Sequence, residues 1–483
     1  MLYCPQEDPK VQRMERMDAE RKNTVIGTFF GSRAFYKETA AIVLPIIVQN
    51  TVSNVVSLLD NVMVGQVGTL QMSAVAIINQ LIFVFNLCIF GGLAGPGIFA
   101  TQYAGAGDAK GVRSCFQLKA VLALLMSGAA VLVFTLLPEP LIRLYLSESG
   151  AAAAPVMGYA KEYLQVMVIG LLPFGLSNAY AMTLRETGET RMPMLASLVS
   201  ICVNLVFNWL LIFGHLGFPA MGVRGAAIAT VLARFVELGV TAGLTHARAG
   251  RYPFIRGAYR GWSVPRDLVR RVAVKGTPLL VNEFFWSAGL AAVLACYSLR
   301  GIEAVAACNI ASTVNNLFNV AFLSLGSAVS IMVGQALGAN RPEQAKGLAW
   351  KLMATGVLGS IAIGALMFLV APLVPRIYNT ETSVRETASA LLRVLAVCMP
   401  LFSVSNCCYF TLRSGGRTMI TFLFDSVFTW CANYSCARLL CTCTALPVVT
   451  VYACVQALEI VKDVLGIVLV KKGIWIRNIV GNE

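Results

Sequence analysis

The sequence predicts an all-α polytopic membrane protein, in which twelve transmembrane helices form two six-helix lobes related by a parallel internal repeat. Three observations predict it: the composition, the number of long apolar runs, and the recurrence of polar motifs six spans apart. Of the 483 residues, 57% are hydrophobic and 13% are charged, whereas soluble proteins carry about 25% charged residues. With a mean hydropathy of +0.72, a soluble enzyme, a disordered chain and a secreted disulfide scaffold are excluded.

Apolar runs long enough to cross a bilayer, which takes about 20 residues, alternate with turn signals rich in glycine and proline. Twelve runs are found, at 38–63, 73–101, 115–138, 159–184, 193–214, 224–246, 272–299, 305–335, 347–371, 384–412, 418–441 and 446–470. They divide the chain into an N-terminal tail (1–37), an N-lobe (38–246), a basic linker (247–271), a C-lobe (272–470) and a C-terminal tail (471–483).

The net charge of +14 is interpreted as a topology signal. Twenty-eight Lys and Arg residues fall in the tails and alternate connections on one side, against six on the other. By the positive-inside rule, this bias predicts a multi-pass protein of the cell membrane with both termini and the linker in the cytoplasm.

The residues that usually carry metal or covalent chemistry form no pattern. The 14 cysteines stand mostly alone inside apolar runs, where cysteine behaves as a small hydrophobe. The only histidines, His215 and His246, lie in connections on opposite sides. No phosphate-binding loop with its lysine is present. We therefore predict no catalytic residue, no cofactor and no enzyme activity.

Polar motifs repeat between the two halves. Gln102-x-x-Gly105 recurs as Gln335-x-x-Gly338, and Phe85-Asn86 recurs as Phe318-Asn319, both at a sequence offset of 233. Thr183-Leu184-Arg185 recurs as Thr411-Leu412-Arg413 at an offset of 228. Parallel repeats of six spans are typical of secondary transporters, with the substrate path between the halves.

Taken together, the motifs resemble those of the multidrug and toxic compound extrusion (MATE) family, bacterial type, over residues 38–470. They are Pro45…Gln49…Asp60-Asn61-Val62-Met63-Val64-Gly65, Gln102 to Asp108, Leu184 to Thr190, Asn204…Asn208-Trp209, Asn282-Glu283, Gly334 to Gly338 and Arg413 to Gly416. The resemblance implies two lobes in a V shape and efflux of organic cations in exchange for Na⁺ or H⁺.

The resemblance also implies site residues. Asp60 matches the acid that the family uses for cation coupling in its N-lobe. Asn204 and Asn208 match a family Asn and Asp, so this chain has one negative charge fewer there. Glu283 lies on the span where several branches place a coupling Glu, about one turn earlier than in the sodium-coupled branch.

The residues themselves support part of this. A charge at the bilayer centre costs about 2.5–3.5 kcal/mol on insertion scales, and Asp60 has no basic residue within eight positions. It either binds Na⁺ or H⁺ or faces the external water at the rim. Asn204 and Asn208 share a helix face. They either complete a Na⁺ site with Asp60, the only metal site expected here, or make interhelical hydrogen bonds.

Other intramembrane charges also have a functional and a structural explanation. Glu283 is expected to be a second coupling group or a buried structural pair, and Asp425 is an additional intramembrane acid. Local ion pairs are expected to neutralise the remaining charges on spans six and twelve. Arg185 and Arg413 are expected at helix ends, in contact with carbonyl groups or lipid phosphates.

We expect small-molecule organic cations and membrane lipids as partners, no nucleic acid, and a monomer. The alternative function is a flippase for a lipid-linked precursor in the same superfamily, which requires a cationic lumen. The predicted substrate-lining residues are Gln49, Phe85, Asn86, Trp286, Phe318 and Asn319.

Overall fold

The computed structural model describes residues 25–146, 153–378 and 380–481. Most of the predicted N-terminal tail, 1–24, and the last two residues of the C-terminal tail lie outside this range. The described residues form helices and connections without a β-strand. The long helices are α1 (Arg33–Gly65), α2 (Thr69–Gly105), α3 (Ala109–Leu136), α4 (Ala153–Glu186), α5 (Arg191–Phe213), α6 (Gly222–Ala247), α7 (Arg266–Tyr297), α8 (Ile302–Gly338), α9 (Pro342–Val370), α10 (Thr382–Ser414), α11 (418–443) and α12 (448–471).

The predicted twelve-helix architecture is confirmed, with three of the helices interrupted. Helix α4 contains a 3-10 turn at Val168–Gly170. Helices α1 to α10 are each long and apolar enough to cross a membrane. Helix α11 contains two π-helical stretches, Leu423–Val427 and Thr429–Tyr434. Helix α12 is divided at Leu458. Since π-helical turns occur frequently at functional sites, the position of Asp425 inside the first stretch draws attention to α11.

The basic linker is shorter than the sequence predicts and is packed onto the N-lobe. Helix α7 already begins at Arg266, directly after Pro265, whose φ of −63° is compatible with a helix start. In the remaining linker, Phe254 is buried. The Gln117 side chain of α3 donates to two linker carbonyl groups, those of Ala258 and Gly261, both at 2.7 Å.

The two lobes, α1–α6 and α7–α12, meet through equivalent helices. Helices α1 and α2 of the N-lobe pack against α8 and α7 of the C-lobe, and α2 crosses α8. At the crossing, a β-carbon on Gly105 would overlap the Gln335 backbone, and one on Gly338 would overlap the Gln102 backbone. Only glycine allows this approach, which explains why the motif is present in both repeats.

The crossing lies at the end of the bundle that carries the linker, called here the linker side. Two hydrogen bonds related by the repeat join the lobes there. Gln102 Nε2 donates to the carbonyl oxygen of Ser414 at 2.9 Å, and Gln335 Nε2 donates to that of Glu186 at 2.8 Å. Because Glu186 and Ser414 are themselves related by the repeat offset of 228, the parallel repeat is preserved down to single hydrogen bonds.

Candidate functional site

The structure brings Asp60, Asn204 and Asn208 together in the N-lobe, near the end of α1 opposite the linker side. Asp60 is half-buried, while both asparagines are buried on one face of α5. Asn208 Nδ2 donates to Asp60 Oδ1 at 2.6 Å. A hydrogen bond to a charged acceptor is about twice as strong as a neutral one, so α5 holds the carboxylate of α1 in place.

The Asn204 amide can present either end to this carboxylate. With its nitrogen facing Asp60, it donates to Oδ1 at 3.0 Å and to Oδ2 at 3.3 Å. With its oxygen facing Asp60, it accepts from Asn208 Nδ2 at 3.2 Å, and three oxygen atoms then converge. Hard cations such as Na⁺ prefer oxygen ligands, so the second orientation suits a bound cation and the first suits a vacant carboxylate.

The basic residue of α6 that acts on Asp60 electrostatically makes its direct contacts elsewhere. Arg234 of α6 forms an ion pair with Glu237 at 3.5 Å, as its spacing predicts. Its guanidinium also lies 4.4 Å from the centre of the Phe174 ring. When the Asn204 oxygen faces Asp60, Asn204 Nδ2 donates to Thr230 Oγ1 of α6 at 3.3 Å. The direct polar partners of Asp60 are therefore neutral amides.

The C-lobe contains a different arrangement, centred on Asp425 of α11. Lys462 Nζ of α12 lies 3.0 Å from Asp425 Oδ1, and Asn282 Nδ2 of α7 donates to Oδ2 at 3.2 Å. Lys462 is 3.9 Å from Glu459 on its own helix. The expectation that α12 neutralises itself is therefore only partly right, because the shorter contact of Lys462 crosses to α11.

Ser405 of α10 lies between two further acids. Its Oγ is 3.0 Å from Glu459 Oε2 and 2.6 Å from Asp463 Oδ1. A hydroxyl group has one proton to donate, so it satisfies one carboxylate only. The other short contact requires a proton on that carboxyl group or a cation beside it. Asp463 Oδ2 is buried without a hydrogen-bond partner among the described residues.

Glu283 lies apart from both sets, at the interface between the lobes. Its stem packs against Gly91 of α2, where an added β-carbon would lie 3.1 Å from Glu283 Cγ. Its carboxylate makes no hydrogen bond or ion pair with any residue that the structure describes. Arg413 and Asp425 are close enough to act on it electrostatically.

The predicted substrate-lining residues lie in different surroundings. Phe85 and Asn86 line a small pocket between α2, α4 and α6, closed by Phe174 and Arg234. Within it, Asn86 Oδ1 is buried without a partner among the described residues. Gln49 is instead engaged, since its Oε1 accepts from Arg185 at 2.6 Å. In the C-lobe, Trp286, Phe318 and Asn319 are half-buried.

Two arginines at helix ends have partners other than those expected. Arg185 donates to Gln49 of α1. Arg413 is 7% exposed, and its guanidinium lies over the rings of Phe90 and Phe410 at 5.8 and 5.6 Å. Arg413 is therefore buried away from lipid phosphates, while Arg185 is half-buried and held by Gln49.

Some buried charges escaped sequence reasoning. Lys119 is one of the 28 Lys and Arg residues assigned to the cytoplasmic side. It is nevertheless fully buried, where it forms an ion pair with Glu186 and donates to Thr183. Its position inside an apolar run was the available signal. Lys462 is expected to pair within its own helix, and its contact with Asp425 of α11 is what the sequence does not predict. Lys462 follows Arg234 at the repeat offset of 228, so each lobe carries one basic residue at the same place in its sixth helix.

Comparison with known proteins decides the family. The sequence profile of the MatE family matches residues 45–210 and 278–437, one segment in each lobe. The chain is a member of the MATE family. As a MATE protein it is a multi-pass membrane transporter, with the fold that its motifs predict.

Relatives and solved structures agree with this assignment. The chain is 25% identical over 398 residues to a probable multidrug resistance protein NorM of Thermotoga maritima, covering 82% of this chain and 84% of the relative. It is 26% identical over 404 residues to the multidrug resistance protein PmpM of Pseudomonas aeruginosa, covering 82% of both. An outward-facing multidrug resistance MATE transporter superimposes with a TM-score of 0.81 at 19% identity, over 90% of this chain and 96% of that one.

Proposed function

We propose that this MATE protein is a secondary active antiporter that exports organic, cationic and amphiphilic compounds in exchange for Na⁺ or H⁺. The observation that carries the proposal is the carboxylate of Asp60, held inside the N-lobe by neutral amides. A membrane-embedded carboxylate without a direct basic partner is suited to binding and releasing a cation. The names of the relatives, multidrug resistance proteins, support export of drugs as the work that this binding drives.

Coupling requires that the cation favours one arrangement of the lobes over the other. Asp60 on α1 and Asn208 on α5 belong to different helices, so a cation bound between them changes the packing of α1 within the N-lobe. Because α1 also packs on α8, that change reaches the lobe interface. The Asp425–Lys462 pair and the acids around Ser405 form a second, C-lobe candidate for the same role.

The flippase alternative is not favoured. A pyrophosphate headgroup needs free cations in the lumen, whereas Arg234 and Lys462 are paired with Glu237 and Asp425. We further propose that the protein acts as a monomer in the cell membrane, with the linker side in the cytoplasm as the basic residues indicate.

Transport of a fluorescent organic cation in proteoliposomes tests this function. An inward Na⁺ gradient and an inward proton gradient are imposed in separate experiments, and the gradient that drives export identifies the coupling ion. Export under neither gradient contradicts antiport.

The role of Asp60 is tested in the same assay. Asp60→Asn should reduce gradient-driven export to the level of empty liposomes. Its control is Asp108→Asn, the same change at an exposed helix N-cap, where asparagine caps as well as aspartate. Unimpaired export by Asp60→Asn would exclude Asp60 from coupling.

A further inference from the structure

The last described residues, 472–481, run across the junction of the two lobes on the linker side. This segment, called here the strap, follows α12 and has no counterpart after α6, where the chain enters the linker. The two lobes therefore differ at this segment.

The first half of the strap is anchored in the C-lobe. Trp475 is 1% exposed, and its indole Nε1 donates to the carbonyl oxygen of Val470 at 3.0 Å. Its backbone packs so closely on Gly415 that a β-carbon there would overlap it. Arg417 Nε donates to the carbonyl oxygen of Ile474 at 2.9 Å. These contacts fix the segment on the end of α10 and the start of α11.

The second half of the strap binds the N-lobe through Gln102 of α2, which is fully buried. Gln102 Oε1 accepts from the backbone of Ile479 at 2.8 Å, and Gln102 Nε2 donates to the carbonyl oxygen of Arg477 at 3.1 Å. The same Nε2 donates to Ser414 of the C-lobe. One buried amide thus joins the N-lobe, the C-lobe and the strap.

Apolar packing accompanies these bonds. The Ile479 side chain packs against two small clusters at the junction. One contains Phe99 of α2, and the other contains Ile98 of α2 and Leu279 of α7. Arg271 at the start of α7 donates to the Ile479 carbonyl oxygen at 3.2 Å. Separation of the lobes on the linker side would break the contacts of Ile479 with α2 or those with α7.

The repeat supplies an internal comparison. Gln335, the equivalent of Gln102, makes the equivalent hydrogen bond to the other lobe, but within the described part of the chain its amide holds no such segment. The strap therefore adds contacts to one side of an otherwise symmetric junction.

We propose that residues 472–481 form a conformational latch, which holds the lobes together on the linker side and must leave Gln102 before the lobes part there. This rests on the proposed alternation between two lobe arrangements. Because the strap binds across both lobes only when they are closed at this side, weakening it shifts the population toward the arrangement that is open there.

The test measures opening of the junction directly. Thr101 of α2 is 5% exposed and faces Gly334 of α8 between the lobes, so Thr101→Cys places a nearly isosteric probe at the interface. Its alkylation by a maleimide is followed by peptide mass spectrometry on the full-length protein. Cys308, which is 2% exposed at the opposite end of α8, reports unfolding in the same sample.

Ile479→Ser in the Thr101→Cys protein should raise alkylation of the probe on the order of tenfold, because loss of the apolar contacts of a half-buried isoleucine shifts a two-state equilibrium by about that factor. Alkylation of Cys308 should not change. The matched control is Ile476→Ser, the same substitution in the strap at a residue that packs around Trp475 in the C-lobe cluster, and it should leave both rates unchanged.

Three results would overturn the proposal. One is an unchanged probe rate in Ile479→Ser, and another is an equal increase in Ile476→Ser. The third is a parallel rise of the probe and Cys308 in both Ile479→Ser and the milder Ile479→Ala, which would make the strap a folding element. The alkylation rates do not depend on transport. Absence of ion-driven export in the wild type would therefore contradict the proposed function alone, and the alkylation rates would still test the latch.

Discussion

The sixth helix of each lobe carries a basic residue at the equivalent position, but the two residues pair with different partners. Arg234 in α6 and Lys462 in α12 are equivalent by the repeat. In the N-lobe, Arg234 pairs with its own helix, and Asp60 is left with neutral amides. In the C-lobe, Lys462 reaches across to Asp425 and is surrounded by further acids. One repeat thus surrounds its carboxylate with neutral amides, and the other engages its carboxylate in an interhelical ion pair.

This difference indicates that the two repeats share backbone placement more closely than they share interior side chains. The glycine crossing and the two glutamine hydrogen bonds are nearly identical in both halves because the lobes must close on each other. The buried charged side chains can differ between the lobes, since each lobe needs only to neutralise the charges in its own interior.

The largest expected effect is on the C-lobe pair. Lys462→Met leaves Asp425, Glu459 and Asp463 without their shared cation, and breaking a buried pair costs about 3–5 kcal/mol. We expect a loss of that size in the free energy of unfolding, measured by denaturant titration in detergent. Addition of Asp425→Asn should restore part of it.

The control for that variant is Lys346→Met, which breaks an exposed pair with Glu343 of 3.0 Å. Exposed pairs contribute about 0–1 kcal/mol. Equal destabilisation by the two lysine substitutions would show that the buried C-lobe pair contributes no more to stability than an exposed pair does.

A smaller effect is expected at the N-lobe site. Asn208→Ala removes the donor to Asp60, and hydrogen bonds to charged groups contribute about 1.5–3 kcal/mol. Its control is Asn178→Ala, which removes a bond to a neutral carbonyl oxygen, that of Phe174 at 2.9 Å. If Asn208→Ala is no more destabilising than Asn178→Ala, the carboxylate of Asp60 is not held by α5.

A still smaller effect tests the acids around Ser405. Glu459→Gln keeps a side chain that can either donate to or accept from Ser405 Oγ, so if one of the two acids carries a proton it should change the free energy of unfolding by less than about 1 kcal/mol. Glu459→Ala removes that group and leaves a void, so it should be clearly more destabilising. Equal effects of Gln and Ala would argue against a shared proton.

The smallest effect concerns the linker, which adds to the N-lobe alone. Burial and a hydrogen bond to Glu189 raise the pKa of Tyr252 above its usual 10.0. The folded protein therefore keeps the phenol proton to higher pH than the unfolded chain does. The resulting stability is present below about pH 10 and is lost as the pH rises through the folded value. Tyr252→Phe should flatten this decline in Tm above pH 10, and an unchanged decline would contradict it.

Much of the fold was predictable because the bilayer imposes it. The twelve spans follow from apolar length, and the repeat from polar motifs at offsets of 233 and 228. The proximity of Asn204 and Asn208 follows from a separation of one helical turn. The bounds of α7 and the packing of the linker were less predictable, because a basic segment can either dock on a lobe or remain solvated.

The spans, their even number and the intramembrane acids follow from the sequence, because hydropathy and helical spacing are local properties of a chain. Tertiary structure alone decided which charges meet: Asp60 with Asn208, Asp425 with Lys462, and Lys119 with Glu186. It also decided that Gln102 binds the strap. These contacts depend on how each helix is rotated and shifted against its neighbours, which is set by packing of the whole lobe.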